Sequence, residues 1–347
     1  MKSRLLHILL LTAAGTMAPS ASAQEHVSAP PAERAPQAVR AMTVTLLGTA
    51  GGPQARVARS QPATLITVDG ANYLFDVGAG TLRQLALAGL TANKLDTVFI
   101  SHLHTDHTAG LPALTAFRWS YQMTGQKLPP LPILGPPGTE EMMRGAVQFA
   151  TIPTETLRAQ SPNAPKVSTT TQARNVLPGV VFDDGRIKVT AVENSHYDTV
   201  PIGDTGHGKE LSYSYRIDSK YGSVLFTGDT GPSEAVVQLA NGTDLLVSEI
   251  IDIPAVVRFI ATNAKLPVGA EAGIVAHMER EHLSPEEVGK LARAAGVGKV
   301  LLTHIANPDL TPGEEQALAK GVAEEFGGPV ILGQDLMTMA VGSDSAD

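Results

Sequence analysis

Ser101-His102-Leu103-His104-Thr105-Asp106-His107 places three imidazoles and a carboxylate directly after the apolar run Leu95-Asp96-Thr97-Val98-Phe99-Ile100. The run reads as a strand, and side chains on a strand alternate between its two faces. Ligand-type residues this close together therefore have to splay around a loop, which is what surrounding metal ions requires. Imidazole suits zinc, and the carboxylate adds a harder oxygen donor. The chain has only 10 histidines in 347 residues, so a chance cluster of three is improbable. It has no cysteine, which leaves any zinc to His and carboxylates.

Outward from this cluster, further ligand-type residues follow other short apolar runs. His196 comes after the strand that ends at Asn194-Ser195. Asp229 lies in Phe226-Thr-Gly-Asp-Thr230, and His304 ends Leu301-Leu-Thr-His. Singly each is a turn or surface residue. Together they share the strand-end position where α/β sheets place their sites. The remaining pattern supplies the scaffold. Met42 to Leu46 alternates as a strand and leads into the turn-rich Gly48 to Pro53. Ala63 to Val68, the Asp69-Gly70 turn and Asn72 to Asp76 read as a hairpin. The spacing predicts helices over Thr81–Leu90, Gly138–Ala150, Ser233–Ala240 and Pro312–Phe326, and an irregular, Pro-rich stretch over 151–178. Strands are expected at Leu131–Leu134, Ile187–Val192, Leu211–Ile217, Val224–Thr227, Leu245–Ser248, Val300–Thr303 and Val330–Leu332. Ser284-Pro-Glu-Glu287 is a capping-box pattern with Pro at the first helical position. Strands and helices in both halves suit an α/β fold of two sheets covered by helices, a four-layer αβ/βα sandwich.

The N-terminus reads as an export signal. Lys2 and Arg4 precede the apolar Leu5 to Ala14, and Ala21-Ser-Ala23 matches the small-x-small cleavage pattern. The run is shorter than the roughly 20 residues that span a bilayer. Residues 1–23 are thus expected to be a signal peptide, 24–41 a flexible Ala/Pro/Glu-rich linker and 42–347 the domain, in a periplasmic or secreted protein. The formal charge is −8, and loss of Lys2 and Arg4 makes the remainder more acidic. Proteins that grip phosphate backbones usually show the opposite balance. A small-molecule substrate and no nucleic-acid partner are expected.

Residues about 42–335 resemble the metallo-β-lactamase superfamily, in the branch that holds tRNase Z and the zinc arylsulfatases and phosphodiesterases. The matching stretches are Leu47-Gly-Thr49, Arg59-Ser60, Phe75-Asp-Val-Gly78, the His102–His107 cluster, Asn194-Ser-His196, Thr227-Gly-Asp-Thr230, Ser248-Glu249, His282 with its following helix, and Thr303-His304. The resemblance implies the metallo-β-lactamase type of αβ/βα sandwich and two Zn2+ per chain. His102, His104 and His196 would bind the first ion and Asp106, His107 and His304 the second, with Asp229 bridging. Asp76 would orient a ligand imidazole. Asp106, Glu249 and His282 are the candidate catalytic residues. His282, partnered by Glu249, matches the position next to the leaving group, and a homodimer is implied. His207, in the loop 203–208, either faces substrate or is simply exposed. The long basic arm that tRNase Z enzymes use on tRNA is not visible here.

Two zinc ions about 3.5–4 Å apart hold a hydroxide that attacks phosphorus, sulfur or a carbonyl carbon, and His282 would protonate the leaving oxygen. The expected substrate is a small phosphodiester or sulfate ester. The alternative is a carboxyl derivative such as a lactone, a β-lactam or an activated ester. Residues 252–280 are expected to be helix-rich and to cover the site or form a dimer contact.

Overall fold

A computed structural model describes residues 41–161, 163–201, 209–263, 269–307 and 310–342. The expected signal peptide, nearly all of the linker, and His207 lie outside these residues.

Along the chain, β1 (Met42–Gly48), β2 (Ala63–Val68), β3 (Ala71–Phe75), β4 (Thr97–Phe99), β5 (Leu131–Gly135) and β6 (Thr171–Asn175) line up in one sheet. Then β7 (Gly179–Asp183), β8 (Ile187–Glu193), β9 (Tyr213–Ser219), β10 (Gly222–Phe226), β11 (Leu245–Ile250), β12 (Val300–Ile305) and β13 (Val330–Leu332) form a second. The last strand, β14 (Thr338–Val341), returns to pair antiparallel with β1. Among the described residues each sheet is seven-stranded. Helices α1 (Thr81–Leu87), α2 (Thr105–Thr108), α3 (Leu111–Met123) and α4 (Thr139–Gln160) belong to the first half. Helices α5 (Glu234–Ala240), α6 (Ile253–Asn263), α7 (Ala270–Glu281), α8 (Pro285–Ala295) and α9 (Pro312–Phe326) belong to the second.

Four layers follow from which face each apolar residue serves. On β3, Tyr73 and Phe75 enter a core shared with Tyr215 and Phe226 of the other sheet, while Leu74 turns to a core shared with Leu85, Leu114 and Met143 of α1, α3 and α4. On β10, Val224 and Phe226 face the first sheet, while Leu225 joins Val236, Leu291 and Leu318 of α5, α8 and α9. Strands buried on both faces carry near-continuous apolar runs, as the fully buried β3 and β11 do apart from Asn72, Ser248 and Glu249. This is the expected αβ/βα sandwich. No helix among the described residues is long and apolar enough to cross a membrane.

Asp69 (φ 49°) and Gly70 (φ 81°) are both left-handed, which gives the expected tight hairpin between β2 and β3. Ser284 caps α8 by accepting the Glu287 amide, and Thr311 with Glu314 forms a full capping box on α9. The middle of the chain differs from expectation. Helix α4 continues through Pro153 to Gln160, and β6 then adds to the sheet edge beside β5. Packing overrides the proline: Ala150 is buried with Trp119 and Val167, and the Thr154 hydroxyl bonds to the Ala150 carbonyl. The short strands β7 and β14 were also not foreseen.

The strands leading into the expected ligands are largely parallel. β3, β4 and β5 run parallel, as do β10, β11 and β12. Asp76, Ser101 and Asp229 follow the C-terminal ends of these strands, and Glu249 and His304 stand in the last residues of β11 and β12.

Candidate metal centre

Local backbone geometry aims the side chains. Ser248 pairs with Leu302 but Ile250 with Ile305, so Glu249 alone stands against Thr303 and His304. Such a bulge re-aims side chains. Among the described residues, His304 (φ 42°) and Asp76 (φ 61°) are two of four non-glycine residues in left-handed conformation, a strain typical of functional positions. Gly228 (φ 58°) cannot be replaced freely, since a Cβ there would lie 2.9 Å from both the Ser101 Cβ and the Tyr213 carbonyl oxygen.

The expected ligands converge. Three groups each bring one donor atom per residue within 4.8 Å of one another: His102, His104 and His196; Asp106, His107 and His304; and His102, His107 and Asp229. All of these are buried except His104, which opens to the surface. The Asp229 carboxylate stands between the clusters, 3.1 Å from His304 Nε2, 3.3 Å from His107 Nε2 and 3.8 Å from His102 Nε2. His196 Nε2 lies 3.1 Å from His104 Nδ1.

The opposite ring nitrogens are held by the protein. Asp76 lies 2.7 Å from His107 Nδ1, and accepts from the Ser101 amide (2.8 Å) and hydroxyl (2.7 Å). The Ser101 hydroxyl in turn sits 3.0 Å from His102 Nδ1. His196 Nδ1 donates to the Glu281 carbonyl at 2.9 Å. Such partners fix tautomer and ring orientation in metal sites. On the inward side, His102 Nε2, His107 Nε2, His304 Nε2 and Asp229 Oδ1 are buried without a hydrogen-bond partner. Buried polar atoms are rarely left so. Four of them facing one point fit a bound divalent cation, and the all-imidazole and carboxylate donor set suits zinc.

The charge distribution agrees. Burial drives the His102 and His196 imidazoles down, His196 to about 3, so both are neutral as ligands must be. Burial opposes protonation of His107 and His304 as well, yet Asp229 and its neighbouring carboxylates hold both above the usual range, His304 at about 10. Despite its own burial, Asp106 is drawn down to about 2 by His107 and His304. The carboxylates thus call for positive charge at the centre of the cluster.

Beside this cluster stands a second pair. His282 Nδ1 donates to Glu249 Oε2 at 2.7 Å, and Glu249 Oε1 accepts from the Thr230 amide at 2.5 Å. Burial works against the His282 cation, but the Glu249 carboxylate raises its pKa above the ordinary value. The His282 and His196 rings are 5.0 Å apart. The expected set thus comes together in full. Three contributors were not foreseen. The Glu281 carbonyl orients His196, and Tyr197 packs its ring 5.1 Å from both His104 and His196. Asp335 accepts from the Thr49 and Ser60 amides and from Gln84, which joins the Thr49 and Arg59-Ser60 stretches into one loop. Tyr197 could have been noticed as the neighbour of His196, whereas Asp335 carried no local signal.

Fold and site together define a metallo-β-lactamase-type hydrolase. Residues 71–305 match the β-lactamase superfamily domain, and the chain belongs to that superfamily, in the branch that includes ribonuclease Z. It is 31% identical over 304 residues to the Ribonuclease Z of Mycobacterium avium (strain 104), covering 87% of this chain and 99% of that protein. Among solved structures it is similar to the metallo-β-lactamase fold protein YhfI of Bacillus subtilis, with TM-score 0.61 and 21% identity over 86% of this chain and 99% of that one. It is also similar to the short form of human tRNase Z, with TM-score 0.58 and 20% identity over 87% and 100%. At these identities the two structures speak for the fold.

The relatives correct one expectation. A small-molecule substrate and the exclusion of nucleic acid do not stand against full-length relatives named Ribonuclease Z. Net charge sums over the whole surface and hides local rims. Arg56, Arg59 and Arg83 line one cavity of about 440 Å3. The loop it borders donates the Gly52 amide to Asp106 at 3.0 Å.

Proposed function

We propose that this chain is a binuclear zinc phosphodiesterase whose substrates include RNA, with His282 as the acid that serves the leaving oxygen. The observation that carries the reading is the His282–Glu249 pair standing beside the His/Asp cluster. His102, His104 and His196 would hold one ion, Asp106, His107 and His304 the other, and Asp229 would lie between them. Bound metal supplies Lewis acidity and lowers the pKa of water.

The chain's own groups do the rest. Glu249 anchors Nδ1 of His282, so the proton available for transfer is on Nε2. An alkoxide leaving group of the ribose type needs that proton, whereas a nitrophenolate leaves without it. Asp76 and Ser101 keep His102 and His107 turned inward. Arg59 is committed to Glu315 at 2.6 Å, so the exposed Arg83 is the arginine of this cavity that offers charge to the phosphates that flank the scissile one.

The test is metal counting by elemental analysis together with side-by-side assays of bis(4-nitrophenyl) phosphate, a short RNA, 4-nitrophenyl sulfate, a lactone and nitrocefin. About two zinc per chain and turnover of the phosphodiesters, lost in Asp229→Ala, are expected. Turnover confined to the lactone or nitrocefin would move the chemistry to carboxyl derivatives. We further propose that residues 1–23 direct export. A mature protein starting near Gln24 is expected on N-terminal sequencing, and an intact Met1 would refute this.

A further inference from the structure

A groove of about 850 Å3 runs along α6, α7, α8 and α9, with His282 among its walls. Its volume lies in the range of about 300–1,000 Å3 typical of ligand sites. His282 links it to the candidate metal centre: one His282 nitrogen lies within 4.8 Å of donor atoms on His196 and Asp229. The walls are apolar, built from Ile251, Ile253, Val257, Val275 and Leu318. Asp252, Glu279, Glu286 and Glu287 stand along it, and among the lining residues only Arg258 is a fixed cation. Lys290 pairs with Glu286 and Glu287, and Asp252 Oδ1 accepts the Ala255 amide at 2.9 Å, which leaves Glu279 and the other Asp252 oxygen as the freer acceptors.

Such a groove repels phosphates and takes an uncharged group. That group has to be flat or apolar on its faces and to carry hydrogen-bond donors on its edge. We infer that the groove seats the base of the nucleoside that leaves from the phosphodiester, with its amino edge toward Asp252 or Glu279. The inference rests on the phosphodiesterase reading, because His282 marks the leaving-group side. In the step concerned, a water oxygen joins phosphorus, the P–O bond to the leaving nucleoside breaks, and that oxygen takes the His282 proton. The flanking phosphates are left to Arg83 in the separate cavity lined by residues 55–61, beside the loop that reaches Asp106 through the Gly52 amide.

Two substrates that release the same adenosine 5′-phosphate separate the leaving group from everything else. One is adenylyl-(3′→5′)-adenosine and the other is adenosine 5′-(methyl phosphate). The ratio of their kcat/KM values should favour the dinucleotide by about thirtyfold, the order given by burying the faces of one base. Ala317 is an exposed residue of α9 on the groove wall, and Pro254 is exposed on the facing α6. Ala317→Trp and Pro254→Trp should each cut the ratio to about threefold or less, and weaken adenosine binding in calorimetry by a similar factor. A wild-type ratio near one, or variants that keep both the ratio and adenosine affinity, would overturn the groove assignment. Adenosine binding that is lost in the variants, in a protein that turns over no phosphodiester, would instead overturn the phosphodiesterase reading and leave the base seat standing.

Discussion

At the residue scale, the pairing of His282 with Glu249 makes the most direct claim. His282→Ala should lower kcat/KM for alkyl phosphodiesters by about 10²–10⁴. Nitrophenyl esters should lose much less, because their leaving group needs no proton. Equal losses on both, in a variant with unchanged metal content, would remove His282 from the acid role. Asp76 acts at one remove. It touches His107 directly and His102 through Ser101. Asp76→Asn should weaken zinc by about 10–100-fold in a chelator competition, and a variant with wild-type affinity would show that the aspartate is structural. Arg83 is exposed and lines the arginine cavity. Arg83→Ala should reduce RNA cleavage and flatten its salt dependence more than it affects bis(4-nitrophenyl) phosphate. The residues that converge on the cluster were legible in the sequence because ligand chemistry singles out a few residue types at strand ends. Asp335 was not legible, since a lone aspartate near the C-terminus gives no sign that it will meet Thr49, Ser60 and Gln84.

At the element scale, strands buried on both faces were the easiest to read, and the elements of residues 151–178 the hardest. Periodicity and a proline both argued that α4 stops near Ala150. The helix persists because Ala150 is buried against Trp119 of α3 and Val167 of the segment that follows α4, and Thr154 one turn on is buried too. Those contacts lie far off in sequence, so no local pattern announces them. Pro153 still lacks the amide that would bond to the Phe149 carbonyl. Pro153→Ala should restore that bond and stabilise the protein by about 1 kcal/mol in urea denaturation, the helix-interior cost of proline being partly offset by a more flexible unfolded chain. A loss of stability would mean that the proline is set into a kink the fold requires. β14 was missed for a related reason. Four residues of ordinary composition become a strand only because β1 presents an edge.

At the scale of the whole molecule, the candidate metal centre is where the two sheets meet. Asp76, Ser101 and His102 follow strands of the first sheet, and Asp229, Glu249 and His304 belong to strand ends of the second. The apolar core between the sheets joins them elsewhere, with Phe75 stacked on Phe99 at 4.8 Å and close to Tyr215 and Phe226. The two junctions differ in kind. The core depends on buried area and is indifferent to metal. The cluster gathers Asp76, Asp106, Asp229 and Glu249 in a buried space, where carboxylates are costly unless positive charge balances them. Zinc binding should therefore stabilise the folded chain by mass action, about 2.7 kcal/mol when free zinc is 100 times Kd. Chelation should lower the melting temperature, and returning zinc should restore it. Phe75→Ala should cost about 3–5 kcal/mol with zinc content unchanged. Equal destabilisation with and without metal is expected if the core and the cluster are independent, a stringent test because Phe75 directly precedes Asp76. If chelation leaves the melting temperature where it was, the carboxylates are balanced without metal and the binuclear reading fails. If the Phe75→Ala cost changes on chelation, the two junctions are energetically one, and the core helps to hold the ligands in place.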